Sequence, residues 1–320
     1  MMRFWAGHPE LSRQLEEVRD AILARAGGED AEVSAGVRQL LAASGKMLRP
    51  AFVLLASQFG SPDHQRMVRV AAAVEMLHMA TLVHDDIIDA APLRRGVATL
   101  HTLKGPRTAV LLGDWLFASC FSLVADLSNA EDGRSLSRVV ARICGSEISQ
   151  ASQRYSPDPS VRGYLRRIAG KTAALFALSF HVGAVQGGCP PQLVPPLRRL
   201  GYCLGMGFQI IDDILDFSPD GAQTGKPTGS DLAQGIYTLP VVLALRSGDR
   251  RLHAALGGRH GHRAAVKAAR LVREGPGITA ARGAAGVYTR RALAAVDSLP
   301  ALPAREVLRE VTGRLLHRTY

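Results

Sequence analysis

The sequence is poor in cysteine. Its four cysteines are Cys120, Cys144, Cys189 and Cys203, and no two of them form a C-x-x-C pair. This spacing indicates neither a zinc site nor a disulfide framework, and the neighbouring residues are mostly apolar. We therefore expect reduced cysteines that belong mainly to the protein core.

Long uncharged stretches are also missing. The longest runs from Thr172 to Gln186 and slightly beyond, and it is short for a membrane span. The N-terminal residues lack the apolar segment of a signal peptide, so we expect a cytoplasmic protein. No repeat or low-complexity linker divides the chain, and 47% hydrophobic residues are enough for a large core. These features favour a single all-α domain, residues 1–320, built as a helical bundle.

Little in the sequence indicates a nucleic-acid partner, although the net charge is +11. The basic residues are dispersed, and no basic patch is interleaved with aromatic residues, so we expect no nucleic acid. Anionic small ligands and peripheral contact with an anionic membrane surface both remain compatible with the charge. A generally basic composition without a dedicated partner explains it equally well.

Two acidic clusters of the form D-D-x-x-D are the strongest signals, and they begin at Asp85 and Asp212. On a helix the first and third aspartates of each cluster lie one turn apart, where their repulsion destabilises the helix by about 0.5–1 kcal/mol. Mg²⁺ takes few carboxylates and is commonly completed by phosphate oxygens, so the clusters predict a bound diphosphate. A solvated acidic face would explain one cluster, but poorly explains two. The predicted metal ligands are Asp85, Asp86, Asp89, Asp212, Asp213 and Asp216.

The first cluster ends a long apolar pattern. Helical spacing predicts a helix from Val68 to Asp89, with His78 about two turns before Asp85 on the same face. The proline- and glycine-containing loop that follows returns Arg94 and Arg95 to the acidic cluster. A bridging anionic ligand and simple salt bridges both explain this charge pattern.

The segment G-K-M-L-R-P precedes that helix and is basic. Pro50 suits the first turn of a helix, so Lys46 and Arg49 are expected near a helix start. Backbone N–H groups and two cations at such a place form an anion site. Taken alone, the motif is explained better by an ordinary turn between helices.

The second half of the chain repeats the pairing of cations with acids. Lys171 interrupts an apolar helical pattern, where it either extends to solvent or reaches an anion. Gln209 precedes the cluster at Asp212 by about one turn. A glycine-rich loop with Lys226 follows, and such a loop is able to close over a site and exclude water.

Taken together, these stretches resemble the trans-isoprenyl (polyprenyl) diphosphate synthases. The segments that carry the resemblance are G-K-M-L-R-P, E-M-L-H-M-A-T-L-V-H-D-D-I-I-D with L-R-R-G, G-D-W-L-F, K-T-A-A-L-F, F-Q-I-I-D-D-I-L-D-F and G-K-P-T-G-S-D-L. They follow the family's order and cover roughly residues 44–240. The resemblance implies an all-α fold with a central active-site cavity.

The resemblance also implies a reaction, the Mg²⁺-dependent condensation of isopentenyl diphosphate with an allylic diphosphate. The aspartate motifs would bind the Mg²⁺ that holds the allylic diphosphate. The positions that match groups neutralising this leaving group are Arg94, Lys171 and Lys226. The positions that match the isopentenyl diphosphate site are Lys46, Arg49, His78 and Arg95. Thr172 and Gln209 match further substrate contacts.

Product length and assembly are partly implied. Short-chain relatives tend to carry an aromatic side chain just before the first motif, whereas Leu77, Ala80 and Thr81 stand here, so we expect a long-chain product for quinone side chains. A geranylgeranyl synthase is the alternative. We expect a homodimer, with a heteromeric synthase as the alternative, because Ile236 replaces a polar residue common in the family. Terpene cyclases fit poorly, since their second metal motif is not D-D-x-x-D.

Overall fold

The computed structural model describes residues 2–28, 30–127, 130–217, 230–257 and 262–316. Regular structure within these residues is helical except for one hairpin of two short strands, β1 (Leu93–Arg94) and β2 (Val97–Ala98). The predicted all-α class is therefore confirmed. The chain divides into two compact units, Met1–Ser137 with Leu178–Arg198 and Arg138–Ala177 with Arg199–Tyr320. The single-domain organisation stays a prediction.

The described residues form a series of α-helices. In chain order they are α1 (Met2–Trp5), α2 (Pro9–Gly27), α3 (Ala31–Ala42), α4 (Leu48–Ser57), α5 (His64–Ile88), α6 (Leu100–Lys104), α7 (Pro106–Leu127), α8 (Ala130–Ser152), α9 (Val161–Ile168), α10 (Ala174–Gln186), α11 (Val194–Leu215), α12 (Ser230–Ala233), α13 (Leu239–Arg246), α14 (Arg250–Leu256), α15 (His262–Glu274), α16 (Gly277–Asp297) and α17 (Pro303–Leu316). A π-helical segment, Ala169–Ala173, joins α9 to α10.

The first unit is built around α5. Apolar residues occupy every face of this helix, as expected for a helix buried on all sides, and α2, α4 and α7 pack against it. The helix begins at His64, four residues before the predicted Val68, because the Asp63 carboxylate accepts a hydrogen bond from the Arg66 N–H at 2.7 Å and caps it. The predicted long helix is confirmed.

The contact between α4 and α10 in this unit is unusually close. A Cβ atom placed on Gly183 would lie 2.3 Å from the Val53 carbonyl oxygen, and one on Gly187 would lie 2.6 Å from Ser57 Cα. The Phe52 and Phe180 rings stack beside them at 4.8 Å. Gly183 and Gly187 lie one helical turn apart, and because neither has a side chain, their backbone is in direct contact with that of α4.

The second unit has its own apolar core. The core side chains come from α13, α14 and α15, and include Val241, Leu252, Ala268 and Val272. Helix α16 packs against α13 and α17. Phe217, which directly follows the acidic cluster at Asp212, belongs to this core.

Three described helical stretches are long and apolar enough to cross a membrane, by length and composition only. They are α5, α7 and Val161–Gln186; the uncharged stretch considered above is only part of the last. Most of the apolar window of α5 (72%) and of Val161–Gln186 (67%) is buried inside the protein, but only 39% of that of α7 is. Packing within the chain therefore accounts for the apolar composition of α5 and of Val161–Gln186, whereas the apolar surface of α7 is partly uncovered.

The cysteines are free thiols, as the sequence predicted. Cys120, Cys189 and Cys203 are buried, whereas Cys144 on α8 is exposed. Burial raises the pKa of Cys120 to about 12 and that of Cys189 to about 11. These two thiols are therefore unreactive at neutral pH.

Candidate active site

The first acidic cluster lies at the C-terminal end of α5. Asp85 and Asp86 occupy the last turn, and Asp89 follows the last helical residue, donating its N–H to the Asp85 carbonyl oxygen at 2.9 Å. Ala90 then adopts a left-handed φ of 47° that ends the helix before the β1–β2 hairpin. The C-terminal end of a helix carries partial negative charge, so carboxylates are unfavourable there and a bound cation is favoured.

The second cluster repeats this arrangement on α11. Asp212 and Asp213 lie in the last turn, and Asp216 follows the helix and donates its N–H to the Asp212 carbonyl oxygen at 3.2 Å. The predicted one-turn spacing of the outer aspartates is confirmed in both clusters. The predicted helix from Val68 to Asp89 had already placed the first cluster at a helix end, and the second cluster also terminates its helix. This position adds to the electrostatic cost of each cluster.

The middle aspartate of the first cluster is tied to a cation. Asp86 is buried, and its Oδ1 accepts hydrogen bonds from Arg94 Nε at 2.8 Å and Nη2 at 2.7 Å. Arg94 lies on β1, so the short hairpin carries its guanidinium back to the end of α5. The predicted return of the arginine pair is confirmed for Arg94.

The middle aspartate of the second cluster is tied to neutral groups instead. Asp213 is buried, and it accepts a hydrogen bond from the Tyr164 hydroxyl at 2.6 Å and from Gln209 Nε2 at 2.8 Å. The Thr172 hydroxyl donates to Gln209 Oε1 at 2.7 Å and fixes the amide. Burial and the nearby Asp231 raise the pKa of Asp213 to about 8. Burial also raises the pKa of Tyr164 well above 10.

Lys171 is placed by a local distortion of the helix. It lies in the π-helical segment between α9 and α10, and its Nζ is 2.8 Å from Glu147 Oε1 on α8. A Cβ atom on the neighbouring Gly170 would overlap the Ser146 hydroxyl, so glycine allows the π turn to approach α8. Single π turns of this kind are frequent at functional sites.

The basic segment before α5 forms a tight turn at the start of α4. Met47 takes a left-handed φ of 49° between Lys46 and the first helical residue. Trp5 is completely buried, and its Nε1–H donates to the Lys46 carbonyl oxygen at 2.6 Å. The Lys46 ammonium lies 4.8 Å from the centroid of the Phe4 ring. The N-terminal aromatic pair therefore fixes both backbone and side chain of Lys46.

Two further cations predicted for the site, Arg49 and Arg95, lie at the same turn. Gly45 lies so close to the Arg95 guanidinium that an added Cβ would be 2.1 Å from Nη1, and Arg95 donates to the Ala43 carbonyl oxygen at 3.4 Å. Arg49 Nη1 donates to His78 Nε2 at 2.8 Å. Burial and the nearby arginines lower the pKa of His78 well below 6.5, so the imidazole is neutral and accepts this bond.

One buried acid accompanies these cations. Glu75 lies one turn before His78 on α5 and is 3% exposed. Burial raises its pKa to about 7, although the charges of Arg49 and Arg95 act in the opposite direction. Burial lowers the pKa of Arg49 to about 10, which leaves its guanidinium protonated at neutral pH. The cluster therefore carries net positive charge and suits an anion.

The acidic clusters suit a hard divalent cation that shares its ligands with a bound anion. Carboxylate oxygens are the ligands that Mg²⁺ prefers. Within the described residues, no group of three or more His, Cys, Asp or Glu side chains is placed to hold a metal ion alone. A cation at either cluster would thus take further oxygens from water or phosphate, as Mg²⁺ commonly does.

The sequence was compared with models of known families, and the polyprenyl synthetase model matches residues 30–272. The chain belongs to the polyprenyl synthetase family. Membership confirms the predicted enzyme class, a trans-prenyltransferase that makes prenyl diphosphates. It also confirms the all-α isoprenoid synthase fold.

Relatives of this polyprenyl synthetase extend over its whole length. It is 39% identical to heptaprenyl diphosphate synthase component 2 of Geobacillus stearothermophilus, over 100% of both chains. A geranylgeranyl pyrophosphate synthase from Lactobacillus brevis has a similar structure, with a TM-score of 0.92, 34% identity and coverage of 99% of this chain and 100% of that chain. A polyprenyl synthase from Caulobacter crescentus, solved with calcium and isoprenyl diphosphate, has a TM-score of 0.90, 32% identity and coverage of 100% and 97%.

The structure distributes the predicted residues of this synthetase over the two units. The first unit holds the cluster at Asp85, with Arg94 paired to Asp86, and it also holds the basic group of Lys46, Arg49, His78 and Arg95. The second unit joins the cluster at Asp212 to the predicted residues Lys171, Thr172 and Gln209. Lys226 lies outside the described residues, so its predicted role stays a prediction. Leu77 and Ala80 are fully buried, and the Thr81 hydroxyl donates to the His78 carbonyl oxygen at 2.7 Å.

Sequence reasoning missed several residues that hold the site. Trp5 and Tyr164 are buried against predicted residues that are distant in the chain, and Glu75 lies inside the segment E-M-L-H-M-A-T-L-V-H-D-D-I-I-D but was assigned no role. The sequence did contain a signal for Trp5. It is one of two tryptophans in the chain, and it directly follows Phe4 near the N-terminus. Tyr164 has no comparable local signal.

Proposed function

We propose that this polyprenyl synthetase condenses isopentenyl diphosphate with geranyl, farnesyl or geranylgeranyl diphosphate and makes a long-chain all-trans polyprenyl diphosphate, destined for quinone side chains. The observation that carries the proposal is the shared design of α5 and α11, each ending in two carboxylates one turn apart. Two such helix ends suit the cations that accompany a diphosphate.

Mg²⁺ is the cation that we assign to both clusters, with the outer aspartates Asp85, Asp89, Asp212 and Asp216 as its principal ligands. When bound, it supplies positive charge that neutralises the diphosphate and favours its departure. The calcium in the Caulobacter relative supports a divalent cation in this family. The chain itself contributes the fixed carboxylate spacing, while the hydrogen bonds of Asp86 and Asp213 hold the last helical turns in place.

Arg94 and Lys171 are the described cations that we assign to the leaving diphosphate, and Lys226 is the third. Arg94 is oriented by Asp86, and Lys171 by Glu147 at 2.8 Å. Cations that are fixed before the reaction need no reorganisation as negative charge develops on the departing group. The ion pairs of Arg94 with Asp86 and of Lys171 with Glu147 are therefore compatible with a role in catalysis.

The turn at Lys46 is the site that we assign to the diphosphate of isopentenyl diphosphate. Lys46, Arg49 and Arg95 provide the positive charge, and neutral His78 accepts a hydrogen bond from Arg49. Arginine offers paired N–H donors that match phosphate oxygens. We therefore assign to His78 the role of orienting Arg49.

The reaction needs no protein nucleophile. The C–O bond of the allylic diphosphate breaks, and the diphosphate leaves with the electron pair. The alkene of isopentenyl diphosphate attacks the resulting allylic carbocation, and a new C–C bond forms. Loss of a proton then restores a double bond, and the released diphosphate is the base that we assign to it. The fixed cations lower the barrier by stabilising charge on the leaving group.

A long product fits the side chains around α5. No phenylalanine, tyrosine or tryptophan stands between Leu77 and Asp85 on α5. The heptaprenyl relative supports the long-chain assignment. A geranylgeranyl product is the alternative, since the Lactobacillus relative is named for it.

A second candidate function is the catalytic chain of a two-component synthase. The relative that matches the whole chain is named component 2 of its enzyme. Helix α7 also exposes apolar side chains, with Leu111 60% and Phe121 38% exposed. We propose a homodimer that covers this helix, with a different partner subunit as the alternative. Ile236, which is buried, is tolerated in either assembly.

We further propose a single-domain cytoplasmic protein. Its net charge of +11 supports peripheral contact with anionic lipid, where a long apolar product would be released. Sedimentation with anionic vesicles at low and high salt tests this, because electrostatic attachment is lost at high salt.

Chromatographic product analysis tests the catalytic proposal. Purified protein is incubated with Mg²⁺, labelled isopentenyl diphosphate and farnesyl diphosphate, beside the Asp85→Asn variant and the exposed control Asp20→Asn. We expect a ladder of long all-trans products from the wild type and the control, and none from Asp85→Asn. A ladder that stops at geranylgeranyl diphosphate would contradict the long-chain assignment.

The metal assignment has a readout that does not need turnover. After removal of divalent ions, Mg²⁺ and inorganic diphosphate added together should raise the Tm of the wild type, and should do so much less in Asp85→Asn. A folded wild-type protein that shows this Tm rise but makes no product alone would favour the two-component candidate. Absence of the Tm rise would contradict the metal assignment itself.

A further inference from the structure

We infer that a hydrogen-bonded network of Arg66, Gln186 and Asp132 is the stop that sets product length in this synthetase. The inference rests on the proposed long-chain function and adds the residues that end the chain. The network lies entirely in the first unit, beside an apolar pocket.

The pocket is apolar along its walls. Its lining comes from α5, α7, α8 and α10, and on α5 it includes Val70, Ala73 and Val74. These side chains continue the row that begins at Asp85 and passes Leu77 towards the N-terminus of the helix. An isoprenoid tail that follows α5 away from the acidic cluster therefore reaches this pocket.

The polar groups among the lining residues are at one end. Asp132 and Gln186 line the pocket, and Gln186 Nε2 donates to Asp132 Oδ2 at 2.8 Å. Arg66 Nε donates to Gln186 Oε1 at 3.2 Å, and Arg66 Nη2 donates to the Leu127 carbonyl oxygen. One side chain from α5, one from α8 and one from α10 thus close the end of the pocket.

This network opposes further growth for a reason of chemistry as well as size. To pass it, an apolar tail must displace Gln186 and separate Arg66 and Asp132 from their partner. Partly buried polar groups that lose hydrogen bonds to an apolar group are strongly unfavourable. A bulky apolar residue would stop the tail by steric contact alone. A tail that passes this network would also have to break the hydrogen bonds of the network.

The position of the network predicts a length. Asp85 and Arg66 are 19 residues apart on one helix, which corresponds to about 28 Å, or about five helical turns. One turn is roughly the length of one extended isoprene unit, so about five units fit between the two residues. With the unit that carries the diphosphate, the product is expected to end near six units.

The ladder of products tests the inference directly. Gln186→Ala removes the centre of the network, so its ladder should end at least one isoprene unit later than that of the wild type. Gln186→Leu fills the same volume without hydrogen bonds and should give a broader distribution of lengths. The exposed Gln65→Ala on α5 is the matched control and should leave the ladder unchanged. An unchanged end point in Gln186→Ala, with normal incorporation of label, would overturn the inference.

A binding measurement separates this inference from the proposed function. All-trans prenyl diphosphates of increasing length are added with Mg²⁺, and the rise in Tm is recorded for each. For the wild type the rise should stop growing at the length that reaches the network, whereas for Gln186→Ala it should continue to a longer one. This measurement needs no turnover, so it decides the inference even if the isolated chain makes no product. Identical length profiles for the two proteins would overturn it.

Discussion

The ends of α5 and α11 share a motif but differ in how they hold its middle aspartate. Asp86 pairs with the guanidinium of Arg94, whereas Asp213 accepts hydrogen bonds from the neutral Tyr164 and Gln209. In the first unit, therefore, a cation already faces the cluster before any ligand binds. In the second, burial raises the pKa of the middle carboxyl to about 8, so a bound cation would draw it towards its charged form. The same sequence motif thus supports two different electrostatic environments.

The largest expected effect comes from the outer aspartates, which the two helices have in common. Asp85→Ala and Asp212→Ala should each lower kcat/KM by about 10²–10³ or more, because each removes a ligand of the charge that stabilises the leaving group. Steady-state kinetics with farnesyl diphosphate measures this. Asp20→Ala, on the exposed side of α2, is the control. If one variant kept nearly full activity, the two clusters would not be equivalent.

The next effect separates the middle aspartates. Arg94→Gln removes a charge and should lower kcat/KM by about 10²–10³. Tyr164→Phe removes one neutral hydrogen bond worth about 1 kcal/mol, so a reduction of about fivefold is expected. Kinetics of both variants gives the comparison, with Arg94→Lys retaining the charge and the exposed Tyr202→Phe as control. Equal losses in Arg94→Gln and Tyr164→Phe would show that charge is not what distinguishes the two sites.

The third effect concerns stability and pH in the first unit. Burial raises the pKa of Glu75 from 4.5 to about 7, so the folded protein binds this proton more tightly than the unfolded chain does. The contribution to stability is therefore present below about pH 4.5 and is lost as pH rises to about 7. Glu75→Gln should remove this part of the pH dependence.

Urea unfolding between pH 5 and 8 measures the free energy of unfolding for wild type and Glu75→Gln. The difference between them should change in favour of the variant as pH rises. Glu274→Gln, at an exposed position on α15, should run parallel to the wild type. Parallel curves for wild type and Glu75→Gln would show that the pKa of Glu75 is not raised.

The smallest effect lies at the turn that binds isopentenyl diphosphate in our proposal. Trp5→Phe removes the hydrogen bond to the Lys46 carbonyl oxygen, worth about 1 kcal/mol, and keeps most of the packing. The KM for isopentenyl diphosphate should rise about fivefold, and that for the allylic substrate should not change. Trp115→Phe, the other tryptophan, is the control. A rise in both KM values would indicate a general loss of structure.

Local patterns predicted much of this molecule. The helix that carries the first cluster, the turn containing Pro50 and the return of Arg94 all depend on residues close together in sequence, and the structure has them as expected. Helical periodicity was sufficient for these features because each depends on a single helix face or a single turn.

Contacts between distant residues could not be predicted in the same way. The partner of Asp213 is Tyr164, 49 residues away, and the partner of Arg66 is Gln186, 120 residues away. The π turn at Lys171 depends on Gly170 meeting Ser146 on another helix. In each case the decisive neighbour belongs to a different element, and no periodicity within one segment indicates it.

The glycine contact between α4 and α10 has a mechanical consequence. Helix α4 begins beside Arg49 and ends at Ser57 against Gly187, the residue after Gln186. With no side chain between them, the two backbones are in direct contact, so α4, ten residues long, runs from the diphosphate turn to the residue next to Gln186. A larger residue at Gly183 would push α4 away from α10, and we expect it to alter head-group affinity and product length together.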